Sequence, residues 1–200
     1  MKYTGVNHLA MATGDMDATI RFWRDLLGMR MVAGLGEPGF RHYFFEIAPN
    51  DMIAFFEWSD VEAVSPKVHG SPVKGPFIFD HVSFGVEKSE DLWALKDKLD
   101  AAGFPCTGLR DHGFIHSIYA HDPNGIPIEF SWQVEGIDVH KNPMMADTVP
   151  SAVAKEGAEP VAGRWPEVTK PTLEKDKQIV KAAGSELYHC LKSGDEQKQP

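Results

Sequence analysis

Two short stretches of the chain alternate apolar and polar residues in the same way: VNHLAMAT, Val6 to Thr13, and FDHVSFGV, Phe79 to Val86, each with a histidine in third place. A period of two predicts a β-strand with one buried face. Each stretch is followed by a stripe of helical period. Met16, Ile20, Trp23 and Leu27 line the first helix before Gly28, and Leu92, Leu95, Leu99 and Ala102 line the second before Gly103, a glycine standing where helices end in a left-handed residue. Each helix leads on to a strand-rich run, IAPNDMIAFFEW from Ile47 to Trp58 and SIYAHDPNGIPIEFSW from Ser117 to Trp132. Shifting by 74 positions lays Pro49-Asn50 on Pro123-Asn124, Phe56 on Phe130 and Trp58 on Trp132, and His8 and His81 are 73 apart. In the second run Asp-Pro-Asn-Gly, 122 to 125, predicts a tight hairpin, because proline presets φ and Asn-Gly accepts positive φ.

An internal repeat of this length predicts an α+β fold of two units sharing one core, each a strand, a helix and then three strands. The first module spans about 4–58 and the second about 78–132 within a domain of 1–132. From 133 to 200 the chain is rich in Pro, Ala, Glu and Lys and has neither period, which predicts an extended C-terminal arm. Met144, Met145, Trp165 and Leu187 are apolar hooks by which such an arm wraps its own body or a dimer partner, and ELYHCLK, 186 to 192, adds a short helix or strand with His189 on the surface.

Composition narrows the function. A net charge of -9 with no basic stripe argues against nucleic acid or an anionic membrane as partner, and leaves a small neutral or weakly anionic substrate. There is no apolar run long enough to span a bilayer and no basic-then-apolar N-terminal signal, so a cytoplasmic protein is expected. Cys106 and Cys190 fit neither a CxxC pair nor a disulfide framework and read as ordinary thiols.

The residue that stands out is Glu129. Alternation puts it on one sheet face with Pro127 and Ser131, while Ile128 and Phe130 take the other. A carboxylate inside an apolar strand costs several kcal/mol unless water, a cation or a metal meets it. Two histidines, His8 and His81, open the paired first strands, and with Glu129 they make a 2-His-1-carboxylate set. Such a set holds a divalent metal by one face and leaves open positions, as suits non-haem Fe(II).

These residues resemble, over about 4 to 132, the vicinal oxygen chelate superfamily, which includes glyoxalase I, bleomycin-resistance proteins, fosfomycin-resistance enzymes and type I extradiol dioxygenases. The resemblance implies two βαβββ modules forming a curled mixed sheet around a metal cleft. The second module is most similar to the extradiol enzymes, whose signature is matched by His112, Ile118-Tyr119, Asp122-Pro123-Asn124-Gly125 and Glu129, with Arg110 where that signature has a small or β-branched residue. It implies Fe(II) or Mn(II) on His8, His81 and Glu129, a catechol-like or other vicinal-diol substrate, dioxygen as co-substrate, and Tyr119 and His112 as proton donors or acceptors. Phe55 and Phe114, with Trp58, are candidates to line an apolar pocket for a ring.

Two other readings stay open. A glyoxalase I-type lyase or isomerase would use Ni(II) or Zn(II) and a fourth ligand on the last strand of the first module, a role that Glu57 invites. With Trp58 laid on Trp132, however, the residue opposite Glu129 is Phe55, and Glu57 falls two positions further along the same face, outside the ligand set. A non-catalytic small-molecule binder would need no metal. His42 and His116 are equivalent in the repeat and, if Tyr119 faces the metal, both point away from it. The catalytic histidine of the extradiol enzymes near the end of the first module has no counterpart around PNDMIAF, where Asp51 is the nearest titratable group.

Overall fold

The first alternating run forms β1 (His8–Thr13), followed by α1 (Met16–Ile20), β2 (Met31–Glu37), β3 (Phe40–Ala48) and β4 (Asp51–Glu57). The second forms β5 (Val82–Gly85), α2 (Ser89–Ala101), β6 (Arg110–Asp111), β7 (Ile115–His121) and β8 (Pro127–Gln133). This computed structural model describes residues 6–37, 39–49, 51–68, 70–72, 79–143, 153–160, 162–163 and 166–179. Each module is a strand, a helix and three strands, as the repeat predicts. The sheets are ordered β1-β4-β3-β2 and β5-β8-β7-β6, with β1 and β5 parallel to the last strand of their module and the remaining pairs antiparallel.

Local chemistry sets the helix ends. The Asp15 carboxylate accepts the Ala18 N–H at 2.9 Å to start α1, and Gly28 ends the helical segment at φ 80°. Between them the helix widens into a π turn over Arg21–Leu26, with the Leu27 N–H donating to the Phe22 carbonyl. The wider turn lets the adjacent Phe22 and Trp23 both bury their rings. In α2 the Asp91 carboxylate accepts the Lys88 N–H, Leu92 and Leu99 bury completely, and Gly103 follows at φ 84°.

One core joins the modules. Trp23 lies 5.6 Å, ring centre to ring centre, from both Phe55 of β4 and Phe84 of β5, and Phe22 meets Phe104 at 4.7 Å. Phe45, Ile53 and Phe55 of the first sheet and Ile118, Ile128 and Phe130 of the second bury into this cluster. Both sheets therefore spend the same kind of face on the core and keep the other face for something else.

The Asp122-to-Gly125 turn does more than close a hairpin. Asn124 accepts from the Thr13 hydroxyl at 2.6 Å and donates to Thr19, while Asp122 accepts from the Trp23 indole and from the Ile126 and Asn124 N–H groups. This buried network fastens the end of β1 and the start of α1 to the second module, and burial pushes the Asp122 pKa up despite its hydrogen bonds. Gly125, at φ 77°, runs directly beneath the Val64 carbonyl, leaving no space for a Cβ.

Of the arm, the described residues include two single 3₁₀ turns, Ala154–Glu156 and Glu174–Asp176, and Val153, Val168, Leu173 and Ile179 are exposed. Met144, Met145, Trp165 and the 186–192 segment lie outside the described residues.

Candidate metal and substrate site

Glu129 stands on β8 between Ser83 of β5 and Tyr119 of β7, its register partners on either side, on the face turned away from the core. It is only 4% exposed. His81, the residue before β5, brings Nε2 to 3.0 Å from Glu129 Oε2, and its Nδ1 lies 2.7 Å from Asp80 Oδ1. Asp80 in turn pairs with Lys67 at 2.7 Å and accepts the Gly70 N–H; Lys67 first, then His81 and Gly70, hold its carboxyl below the usual carboxylate range. Where the Nδ1 proton is directed at Asp80, the Nε2 lone pair faces a carboxylate oxygen. Two acceptors in that position need a proton or a cation between them. Ligand atoms about 2.1 Å from a shared metal and at right angles to each other lie about 3 Å apart, so the His81–Glu129 pair fits a divalent ion as it stands.

The carboxylate is prepared for this. Burial pushes its pKa up, but Ser117, Ser83, Tyr119 and the nearby His81 outweigh that and leave it lowered. Even so, Glu129 Oε1 and Ser117 Oγ have no hydrogen-bond partner of good geometry. The Tyr119 hydroxyl is 2.9 Å from His112 Nε2, and burial together with the Glu129 charge pushes the phenol up to about 12. Tyr119 is thus a protonated phenol at neutral pH, linked through the exposed His112 to solvent.

In the first module His8 is exposed on β1, with Nδ1 held 2.9 Å from Asn7 Oδ1 and Nε2 left for a ligand. Among the described residues no three His, Cys, Asp or Glu side chains form a group able to hold a metal. The chain brings His81 and Glu129 together and leaves His8 on the other sheet.

The register corrects the expectations built on the shift of 74. Ser83, two residues after His81, pairs with Glu129, and Ala10, two residues after His8, pairs with Ala54. Ala54 therefore mirrors Glu129, and Phe55 mirrors Phe130. Phe55 is 0% exposed, packed in the core against Trp23 and Phe45. Glu57 shares that core-side face rather than the face of His8. It accepts the Met16 N–H at 2.9 Å at the start of α1 and pairs with Arg41, so its carboxylate caps a helix. Replacing Glu57 with alanine should cost about 1–2 kcal/mol of stability, seen as a melting temperature lower by a few degrees, with metal content unchanged.

Phe114 is exposed on the loop that carries His112, and Trp58 is stacked at 5.8 Å on Phe56. His42 and His116 are not equivalent. His116 faces the core side, beside Trp132 and 3.5 Å from Asp111, whereas His42 pairs with Phe56 and lies on the face of His8. The ring centres of His8 and His42 are 6.5 Å apart. Asp80, Asn7 and Lys67 were not among the sequence candidates, although a side-chain acceptor directly before each histidine, Asn7-His8 and Asp80-His81, is itself a repeated signal. Burial pushes the Cys106 thiol up to about 11, in keeping with an ordinary thiol.

A family model described as Glyoxalase/Bleomycin resistance protein/Dioxygenase superfamily matches residues 5–130. The chain is 27% identical over 128 residues to a lactoylglutathione lyase of Haemophilus influenzae, covering 62% of this chain and 88% of that protein. Among solved structures, a glyoxylase/bleomycin resistance protein/dioxygenase domain from Frankia sp. EAN1pec superposes with a TM-score of 0.55 at 21% identity, covering 70% of this chain and 99% of that one. A glyoxalase family protein from Enterococcus faecalis superposes at 0.51 and 19% identity, covering 66% and 99%.

Proposed function

The chain belongs to the Glyoxalase/Bleomycin resistance protein/Dioxygenase superfamily, and from that premise we propose that it is a metal-dependent enzyme acting on a small molecule with two adjacent oxygens, by extradiol-type ring cleavage. The observation that carries the reading is the His81–Glu129 pair, with an alanine, Ala54, where a second carboxylate would mirror Glu129. A three-residue set of His8, His81 and Glu129 leaves room for a bidentate substrate and a further small ligand. When bound there, Fe(II) or Mn(II) supplies the redox chemistry that dioxygen needs.

The chain's own residues do the rest. Glu129, ionised by its surroundings, brings negative charge to balance the cation. Asp80 and Asn7 fix which imidazole nitrogen of His81 and His8 faces the site. Tyr119, kept protonated, donates to a substrate oxygen as charge gathers there, and His112 relays the proton to or from solvent. His8 is on the other sheet from His81 and Glu129, and both site faces lie outside the shared core. A second copy of the chain in a homodimer supplies the missing half.

The likeness to a lactoylglutathione lyase favours a second reading, a proton-shuttling lyase or isomerase with Ni(II) or Zn(II). That chemistry would have to run without a second carboxylate in the set, since Ala54 holds its place. Oxygen uptake with a panel of catechols, set against isomerisation of the hemithioacetal of methylglyoxal and glutathione, separates the two. Oxygen consumption by iron-loaded protein is the expected result. Isomerisation by nickel- or zinc-loaded protein without oxygen uptake would replace it, and protein that retains no metal would point to a non-catalytic binder.

A further inference from the structure

Among the described residues, three buried side-chain polar atoms lack a hydrogen-bond partner of good geometry: Glu129 Oε1, Ser117 Oγ and His42 Nε2. All three lie on the faces that the sheets withhold from the core. Two are mirror positions, because His42 pairs with Phe56 as Ser117 pairs with Ser131, the same offset that sets Ala54 against Glu129. Leaving such an atom dry and unpaired costs about 1–3 kcal/mol, and elsewhere the fold satisfies its buried polar groups, as in the Thr13–Asn124–Asp122 network. The His42 ring is not free to swing out. It stacks on Phe56 at 3.6 Å and 13°, with Phe44 at 4.2 Å, and it is 7% exposed.

Two imidazoles that hydrogen-bond each other, or share a metal at a right angle, bring their ring centres to about 5 Å. The His8 and His42 ring centres, 6.5 Å apart, stand at the spacing of two imidazoles that each hydrogen-bond one shared oxygen atom. We propose that His42 contacts the substrate, its Nε2 hydrogen-bonding a substrate oxygen beside His8, so that the first module holds the substrate from the side opposite Tyr119. This rests on the metal-site reading above. It assigns His42 to an oxygen-bearing ligand, not to the metal, and the rigid aromatic clamp fixes the direction of the hydrogen bond before the ligand arrives.

The test uses the full chain loaded with Zn(II), and acetohydroxamate, which offers two adjacent oxygens whichever reaction the enzyme performs. His42→Phe keeps the stack on Phe56 and removes both nitrogens, and His42→Gln restores a hydrogen-bonding group. By calorimetry His42→Phe should bind Zn(II) as wild type does while its affinity for acetohydroxamate falls about tenfold, the scale of one lost hydrogen bond, with partial recovery in His42→Gln. Unchanged acetohydroxamate affinity in both variants would overturn the proposal, as would loss of Zn(II) binding in folded His42→Phe or His42→Gln. His81→Ala, which should lose Zn(II) and acetohydroxamate together, keeps the two ideas apart. If His81→Ala still binds both, the site reading is wrong, and if only the His42 variants behave as wild type, the site stands and His42 falls.

Discussion

Glu129→Gln is expected to weaken divalent-metal binding by more than about 100-fold, beyond the ~10–100-fold that loss of an outer partner costs. An amide keeps the shape of the side chain but brings no charge to a site where a carboxylate oxygen faces His81 Nε2 at 3.0 Å. His81→Ala should do the same. Asp80→Asn, which touches His81 only through Nδ1, should fall within the smaller range. Titration of metal-free protein with Zn(II) or Co(II), beside metal analysis of anaerobically purified protein, reads all three. Glu129 and His81 lie on the face the core does not use, so the metal-free variants should melt close to the wild type. A Glu129→Gln protein that holds metal as tightly as wild type would remove the carboxylate from the site.

The repeat made the fold legible, because period and turn chemistry act locally and the two copies repeat the signal. The strands, both helix stripes with Gly28 and Gly103, and the Asp-Pro-Asn-Gly hairpin all stand where the alternation and caps put them. Register was less legible. Matching aromatic to aromatic laid Phe56 on Phe130 and Trp58 on Trp132, yet the parallel pairings set Phe55 against Phe130 and Ala54 against Glu129. The aromatics mark no face by themselves, and a slip of one residue exchanges the faces of a whole strand. That slip sent Phe55 to the pocket and Glu57 to the same face, when one fills the core and the other caps α1. It also hid His42 by tying it to His116.

The outer partners escaped for a different reason. Lys67 belongs to the segment joining the modules, which has no period of its own, and only the folded chain brings it to Asp80. The arm is similar. Its composition predicts an extended course, but no local rule says which surface takes its apolar residues, and the exposed Val153, Val168, Leu173 and Ile179 lie on no core of this chain.

Mixing two inactive variants should restore metal binding if each site is built from two copies. A His8→Ala chain keeps an intact His81–Glu129 half, and a His81→Ala chain keeps an intact His8 half, so each homodimer lacks every complete site. In a heterodimer with sites formed across the interface, one site gathers both damaged halves and the other gathers His8 from one chain and His81 with Glu129 from its partner. Random exchange makes half of the dimers mixed, each with one whole site, so recovery should reach about a quarter of the wild-type metal stoichiometry. Turnover on the true substrate should return in the same proportion, because an intact site also has its own Tyr119 and His112. The two variants are mixed, partly unfolded and refolded together to exchange subunits, and then titrated with Zn(II) beside each variant refolded alone. Sites formed within one chain would leave the mixture as empty as its parents, since no exchange could put an intact His8 and an intact His81 in the same copy.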